Sequence, residues 1–505
     1  MVNRGAPTPA TPLPDGAEVR LRSRRIEIAA SVLVRLQGAC ASVSTDPAEL
    51  AEHGRDWWPL TIRWAMKQAQ IPSLPAVVCQ PSTIEEVVSV LSICNDAGVP
   101  VTAMAGRSGV VGGSLPVHGG VALDLCGLAG IVAVDDAALT VEARAGTFGD
   151  VLEDELRTRH GLTTGHWPQS IALSTVGGWA ACRGAGQYST RYGKIEDIVS
   201  GLEVVLADGR VIRTGGRAPR EASGPDLNQL FIGSEGTLGV ITAVRMRVHP
   251  VPTGELRAAY GFTTFALGLE ACRRILRRGA TPAVLRLYDD RESARSFDTG
   301  KPGSADALNV LLVRDEADPL LVDAVGAIVD DVCRSADLQA SVLDAALVER
   351  WMGHRNDVSQ LESVIANDIV VDTIEVAGSW SALPRIHEAV TATVLAIPGA
   401  MICSCHQSHA YGDGACLYFT VAGRRADADS FYSEVWDAAT RTTLAAGGAL
   451  SHHHGVGLNR SRFMRATLGA ASEVLASVKD ALDPRGILNP GKLGFADPFG
   501  PVSWP

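Results

Sequence analysis

The sequence predicts an α+β fold of two main domains, on three observations. Between Pro75 and Pro250, helical and strand patterns alternate, punctuated by three clusters of glycine and small residues. Pro250-Val251-Pro252 then interrupts the pattern, because proline has no N–H to give a β-ladder. From Gly254 to about Ala445 strands and helices mix again, now without glycine clusters. The resulting divisions are an N-terminal segment over 1–70, a glycine-rich domain over 71–252, a second α+β domain over 253–445, and a C-terminal segment over 446–505 with helices. At 505 residues and 46% hydrophobic content, the chain can bury more than one core.

Taken in order, the stretch from Pro7 to Pro14 is Pro/Ala-rich and reads as disordered. Arg20, Arg22, Arg24 and Arg25 precede an Ala/Val/Leu helix. The first reading is a helix docked on the body; the second is a basic amphipathic helix touching anionic lipid at the membrane periphery. No apolar run reaches transmembrane length. Ser82-Thr83-Ile84-Glu85 reads as a capping box, followed by Ile84, Val87, Val88 and Leu91 at helical spacing, with Gly98 as the stop. Val99 to Met104, Val121 to Leu125 and Leu139 to Ala145 read as strands, and Phe148 to Leu156 as a helix. Leu202 to Leu206 and Val211-Ile212 form a hairpin about Asp208-Gly209. Val240 to Val248 is a further strand, and a helix begins near Ser472.

A net charge of −11 argues against a nucleic-acid partner. Ten scattered cysteines with no secretory signal read as reduced thiols in a cytoplasmic protein. The last residues, Val502-Ser503-Trp504-Pro505, carry no peroxisomal Ser-Lys-Leu address.

The candidate binding residues lie in the glycine clusters. Ala105-Gly106-Arg107-Ser108-Gly109-Val110-Val111-Gly112-Gly113-Ser114 follows a strand, and its peptide N–H groups can converge on an anion. The loop lacks the Gly-Lys-Ser/Thr end of a Walker motif, and a strand rather than a helix follows it. The second cluster comprises Pro168, Gln169 and Ser170, then Ser174, Thr175, Gly177 and Gly178, then Arg183. The third comprises Glu235, Gly236, Gly239, Val240 and Ile241. Three such loops in one α+β unit suit a long polar ligand with a central diphosphate, such as FAD.

His452, His453 and His454 stand in a row between a small-residue stretch and Gly455-Val456-Gly457. Protonating one ring disfavours the next, so clustering histidines is costly, and the run reads as a functional site at the end of an element. Cys403-Ser404-Cys405 has neither zinc nor redox spacing.

Specific stretches carry a family resemblance: Gly165-His166-Trp167-Pro168-Gln169-Ser170, Ser174-Thr175-Val176-Gly177-Gly178-Trp179, Tyr192-Gly193-Lys194-Ile195-Glu196-Asp197, Gly233 to Thr242, Gly414-Ala415-Cys416-Leu417-Tyr418-Phe419, and Ser451 to Gly457. From about Trp57 to Leu493 the chain resembles flavoproteins of the vanillyl-alcohol oxidase type, and among them the alkylglycerone-phosphate synthases. The resemblance implies a two-subdomain FAD-binding domain of the PCMH type and an α+β substrate (cap) domain, with the C-terminal segment completing both the active site and the FAD domain. It implies FAD, a small-molecule or lipid substrate and a homodimer, and the first glycine loop has no His or Cys at a usual flavin-attachment point, so the FAD is expected to be non-covalent. The implied reaction exchanges the acyl for an alkyl chain on dihydroxyacetone phosphate, held meanwhile on flavin N5. By matching position, Tyr418 resembles the general acid/base. His452, His453 and His454 resemble the groups around the reacting oxygens, Arg286 an arginine near the flavin, and Thr373 a substrate-side hydroxyl. A phenol beside cationic His or Arg is expected to have a lowered pKa.

The chain departs from this pattern at Leu361, where the synthases carry an arginine twelve residues before the position of Thr373; Glu362 follows it. Arg350, Arg355 and Lys194 are the candidates to replace that cation. The alternative is a flavin-dependent D-2-hydroxyacid dehydrogenase. His409 and Gly412-Asp413-Gly414 resemble part of that group's metal motif, but Leu417 and His453 replace two of its ligands. No metal is therefore expected, with His409 and His454 the pair that zinc would use. A non-catalytic flavin-binding or lipid-surface protein is a third alternative, opposed by Tyr418 and the histidine run.

Overall fold

The computed structural model describes residues 16, 18–357, 360–502 and 504, so Pro7 to Pro14 lie outside it. The first layer is built from α1 (Ala30–Ala39), β1 (Ser42–Ser44), α2 (Pro59–Gln68), β2 (Val77–Gln80), α3 (Ile84–Ala97), β3 (Val101–Met104) and β4 (Val121–Asp124). Its sheet runs β1-β2-β4-β3, with β1 antiparallel and the other pairings parallel. Helix α3 crosses from β2 to β3, whereas the glycine loop alone connects β3 to β4. The cap of α3 lies one residue beyond the expected box. Thr83 Oγ1 accepts from Glu86 N at 3.2 Å, and the Glu86 carboxylate accepts from Ser82 N at 2.8 Å. The helix starts at Ile84, which makes Glu86 rather than Glu85 its third residue.

A second sheet follows from β5 (Ile131–Asp135), β6 (Thr140–Arg144), α4 (Gly149–Glu155), α5 (Val176–Ala181), β7 (Val199–Val205), β8 (Val211–Arg213) and β9 (Val240–Arg247). Its order is β8-β7-β9-β6-β5, antiparallel throughout. The β7–β8 hairpin turns where the Asp-Gly pair predicts, with Gly209 at φ +87°.

The second domain contains β10 (Gly254–Phe262), α6 (Phe265–Arg277), β11 (Val284–Tyr288), α7 (Asp290–Phe297), β12 (Asn309–Ala317), α8 (Pro319–Cys333), β13 (Ser341–Leu343), β14 (Val370–Ser379), α9 (Leu383–Leu395), β15 (Ala400–Ala410), β16 (Gly414–Gly423) and α10 (Ala428–Ala445). Seven strands form one antiparallel sheet, ordered β13-β10-β12-β11-β15-β16-β14. Strand alternation gives it two chemically distinct faces. Leu287, Ile374, Val376, Cys405, Leu417 and Phe419 point to one face and pack with α6, α8, α9 and α10 in the largest core. Arg286, Tyr288, Thr373, Glu375, His406 and Tyr418 occupy the alternate positions. The cross-strand pairs Glu375–Tyr418, His406–Tyr418 and Tyr288–His406 bring them side by side on the opposite face.

Both ends of the chain tie the domains together. Ile487 and Leu488 are buried against β2–β4, and Val101 N donates to Ile487 O at 2.8 Å. Trp58 and Trp64, ahead of the first parallel strand, are buried in the core of the seven-stranded domain. Arg20 pairs with Asp429 at 2.5 Å and lies over the Trp64 ring, and α1 packs along α3 with Leu36 buried. The described part of the N-terminal segment is thus docked on the body. No helix among the described residues is long and apolar enough to cross a membrane.

Candidate active site

A cavity of about 350 Å³ lies between the glycine loops and the polar face of the seven-stranded sheet. Most of the sequence-predicted residues line it. They are Ala105 to Val110, Gly113, Ser114, Pro168, Gln169, Ser170, Ser174, Thr175, Gly177, Gly178, Glu235, Gly236, Gly239, Val240, Ile241, Arg286, Tyr418, His453 and His454. A Cβ on Gly106 would lie 2.1 Å from Leu173 O, so glycine there lets the first two loops abut.

Four predicted residues do not line the cavity. Gly112 backs onto the Trp58 ring, 3.0 Å from where its Cβ would be. Arg183 turns away toward Glu196 at 3.4 Å and Gln229 at 3.2 Å, so its expected place beside the cofactor is corrected. His452 turns to the Tyr411 hydroxyl at 3.0 Å. Thr373 stands one hydrogen bond back, accepting from Tyr418 Oη at 3.0 Å.

The cavity's polar atoms fit a dinucleotide. Ser114 Oγ, Arg107 Nε, Trp57 Nε1 and both ring nitrogens of His166 are buried beside the glycine cradle without a protein partner. Buried polar groups in proteins are almost always hydrogen-bonded. Donors and acceptors left over together in one glycine-rich cleft suit a ligand rich in phosphate, ribose and amide groups.

Tyr418 stacks on His406, with ring centroids 4.8 Å apart, and faces the edge of His454 at 5.5 Å. Burial raises the phenol well above its ordinary value, despite the Thr373 hydrogen bond. The expected lowered pKa is therefore corrected: the phenol is protonated at neutral pH. The reason is burial, which outweighs the lowering effect of the Arg286 charge, and its histidine neighbours add no further positive charge. Burial depresses His452 and His454 to about 4 and His453 well below the usual range. His406 also falls to about 4, through burial and the adjacent Arg286. Arg286 donates to His406 Nε2 at 2.6 Å, which fixes the ring proton on Nδ1, where it meets Glu292 at 2.9 Å. Arg286 also donates to Tyr288 Oη at 2.8 Å and makes no salt bridge among the described residues.

The histidine loop is held by two carboxylates, one from each domain, Glu375 buried and Glu235 half-buried. Glu375, on β14, accepts Ser451 Oγ at 2.6 Å, His453 N at 3.3 Å, His454 N at 3.0 Å and the Arg460 guanidinium at 2.7 Å, and His452 N as well. Burial opposes its charge, but Arg460 and these donors hold it well below the usual carboxylate range. Glu235 accepts Val456 N at 2.5 Å and Gly457 N at 2.8 Å. Gly457 has φ +51°, and a Cβ there would meet Val111 O at 2.3 Å, so the loop also touches the first glycine loop. The histidine run is an ordered part of the cleft.

These histidines make stability depend on pH with a definite sign. Unfolded histidine titrates near 6.5, while His406, His452 and His454 titrate at about 4 when folded. As pH falls through that window the unfolded state takes up protons first, so stability present above 6.5 is lost, by up to about 1.4 kcal/mol per histidine per pH unit. The denaturation midpoint should hold above pH 6.5 and fall steadily below it; a midpoint flat to about pH 4 would contradict the neutral, buried assignment.

Sequence reading missed His406, Glu292, Glu375 and Arg460. The signal for His406 was the alternation of Ser404, His406 and Ser408 with Cys403, Cys405 and Gln407. His409 reaches the cavity against that alternation, because a bulge between Ser408 and Ala410 leaves it at φ +50° and re-aims it. One ring nitrogen each of His409, His452 and His453 lie within 4.8 Å of one another, a grouping that could hold a metal ion and that contains His452 and His453 in place of the expected His454.

Comparison with known proteins agrees with this geometry. Residues 75–215 match the FAD binding domain family, and residues 252–493 match the FAD linked oxidases, C-terminal domain. An uncharacterized FAD-linked oxidoreductase, YgcU of Escherichia coli K12, is 32% identical over 83% of this chain and 89% of its own. Alkyldihydroxyacetonephosphate synthase of Dictyostelium discoideum is 31% identical over 84% of this chain and 74% of its own. Glycolate oxidase subunit GlcD of Bacillus subtilis is 28% identical, with 85% and 91% covered. A solved alkyldihydroxyacetonephosphate synthase superposes with a TM-score of 0.77 at 24% identity, covering 94% of this chain and 87% of that one. The cofactor is FAD, and the glycine loops, the protonated phenol and the neutral histidines form the cleft of a chain that belongs to the FAD-linked oxidase family of flavoproteins.

Proposed function

We propose that the protein exchanges an acyl for an alkyl chain on a dihydroxyacetone-phosphate-like substrate, as its resemblance to the alkyldihydroxyacetonephosphate synthases suggests. The observation that carries the reading is the protonated Tyr418 stacked between neutral histidines in a cleft shared with the cofactor loops. FAD, held non-covalently by the three loops, supplies the electron-accepting ring. Neutral His453 or His454 can accept the proton beside the substrate carbonyl, which a charged imidazolium could not. Tyr418 can donate to the departing carboxylate oxygen and is oriented by Thr373. Arg286, positioned by Tyr288 and His406, holds the substrate oxygen against them. Leu361 and Glu362 offer nothing to a phosphate. In this reading the cation comes from another residue, with Arg350, Arg355 and Lys194 as the candidates.

A second reading is oxidation of a D-2-hydroxyacid, favoured by the His409, His452 and His453 grouping as a candidate metal site. One experiment separates the two. The purified protein is mixed without oxygen with D-2-hydroxyacids, and separately with palmitoyl-dihydroxyacetone phosphate and a labelled fatty alcohol. The first reading expects label in the lipid and no lasting bleaching. Lasting bleaching by a hydroxyacid, with no exchange, would reject it in favour of the second.

A further inference from the structure

We infer that Trp57 is a cofactor-contacting residue, carried by a segment ahead of the FAD-binding region and closing the FAD cleft from outside. Trp57 lines the same cavity as Ser108, Gly109 and Val110, and its Nε1 is buried with no acceptor in the protein. An indole N–H is donor-only, so a buried one without a partner points to an acceptor supplied by a ligand.

Its neighbours fix it in place. Asp56 is fully buried, its Oδ1 accepts from Trp58 N at 3.1 Å, and its Oδ2 faces Gly109, 4.0 Å from where a Cβ on that residue would lie. Trp58 packs on Gly112 and donates from Nε1 to Tyr432 Oη at 2.6 Å, on α10 of the other domain. The triplet Asp56-Trp57-Trp58 therefore grips the first glycine loop from behind while holding the middle indole at the cleft wall. Rings pre-set in this way contact a ligand without an ordering cost.

The assignment concerns cofactor binding alone, so it stands whichever reaction the site performs. The test is the dissociation constant for FAD of apoprotein, read by flavin fluorescence, beside the melting temperature of the apoprotein. Trp57→Ala should weaken FAD by about tenfold or more, as expected when an aromatic wall and a hydrogen bond are both lost. It should also make the bound flavin more accessible to iodide quenching. Trp57→Phe, which keeps a ring and loses the N–H, should weaken FAD by about fivefold with the apoprotein melting temperature unchanged. Wild-type affinity and quenching in Trp57→Ala would overturn the inference. Should that variant fail to fold, Trp57→Phe decides, and wild-type affinity there would overturn it equally.

Discussion

Replacing Tyr418 by phenylalanine should lower kcat by about two to four orders of magnitude while leaving FAD bound as in the wild type. The substitution removes one hydroxyl from a ring whose packing on His406 and His453 stays. It frees Thr373 Oγ1, which does not line the cavity. Because burial keeps the phenol protonated, the missing function is that of an acid, with the loss falling on kcat rather than on substrate affinity. Steady-state exchange kinetics beside a flavin absorbance titration check both halves. Turnover near wild type would remove Tyr418 from the chemistry, and loss of the flavin would make it a binding residue.

The second large effect concerns Glu375, which no sequence motif marked. Glu375→Leu should destabilise the protein by about 3–5 kcal/mol, because Arg460 would remain fully buried without its carboxylate. The three consecutive N–H groups of the histidine run would lose their acceptor in the same step. Removing both partners, in Glu375→Leu with Arg460→Met, should cost clearly less than the sum of the single changes, since no charge is left uncompensated. Denaturant unfolding of the four proteins measures this cycle. A single-variant loss below about 1 kcal/mol, or simple additivity, would show that the pair does not organise the loop.

The glycine loops and the hairpin turn were legible because their signals are local. Gly106 must be glycine because Leu173 O comes so near, and the Asp-Gly turn of the hairpin is written in two residues. The polar face of the seven-stranded sheet was only half legible. Tyr418 stood out through resemblance, and the histidine run through its clustering. Glu375, His406 and Glu292 did not, because they acquire their roles from strands far apart in sequence that register places side by side. The phenol's pKa was misread for a related reason. A cationic neighbour would lower it, but burial overrides that, and burial is a property of the assembled cleft. Arg183 fell among the glycines in sequence, yet an outward carboxylate, Glu196, claims its side chain. Trp57 carried no motif at all; only the fold brings it to the cavity.

The account rests on FAD lying with its ring against Tyr418, His453 and His454 and its diphosphate in the loop from Ala105 to Ser114. A crystal structure of the FAD-loaded protein tests this most directly. The predicted result is the isoalloxazine within contact of the Tyr418 ring and both imidazoles, under the face that carries Arg286 and His406. A flavin bound elsewhere, or a ring separated from Tyr418 by intervening protein, would contradict it.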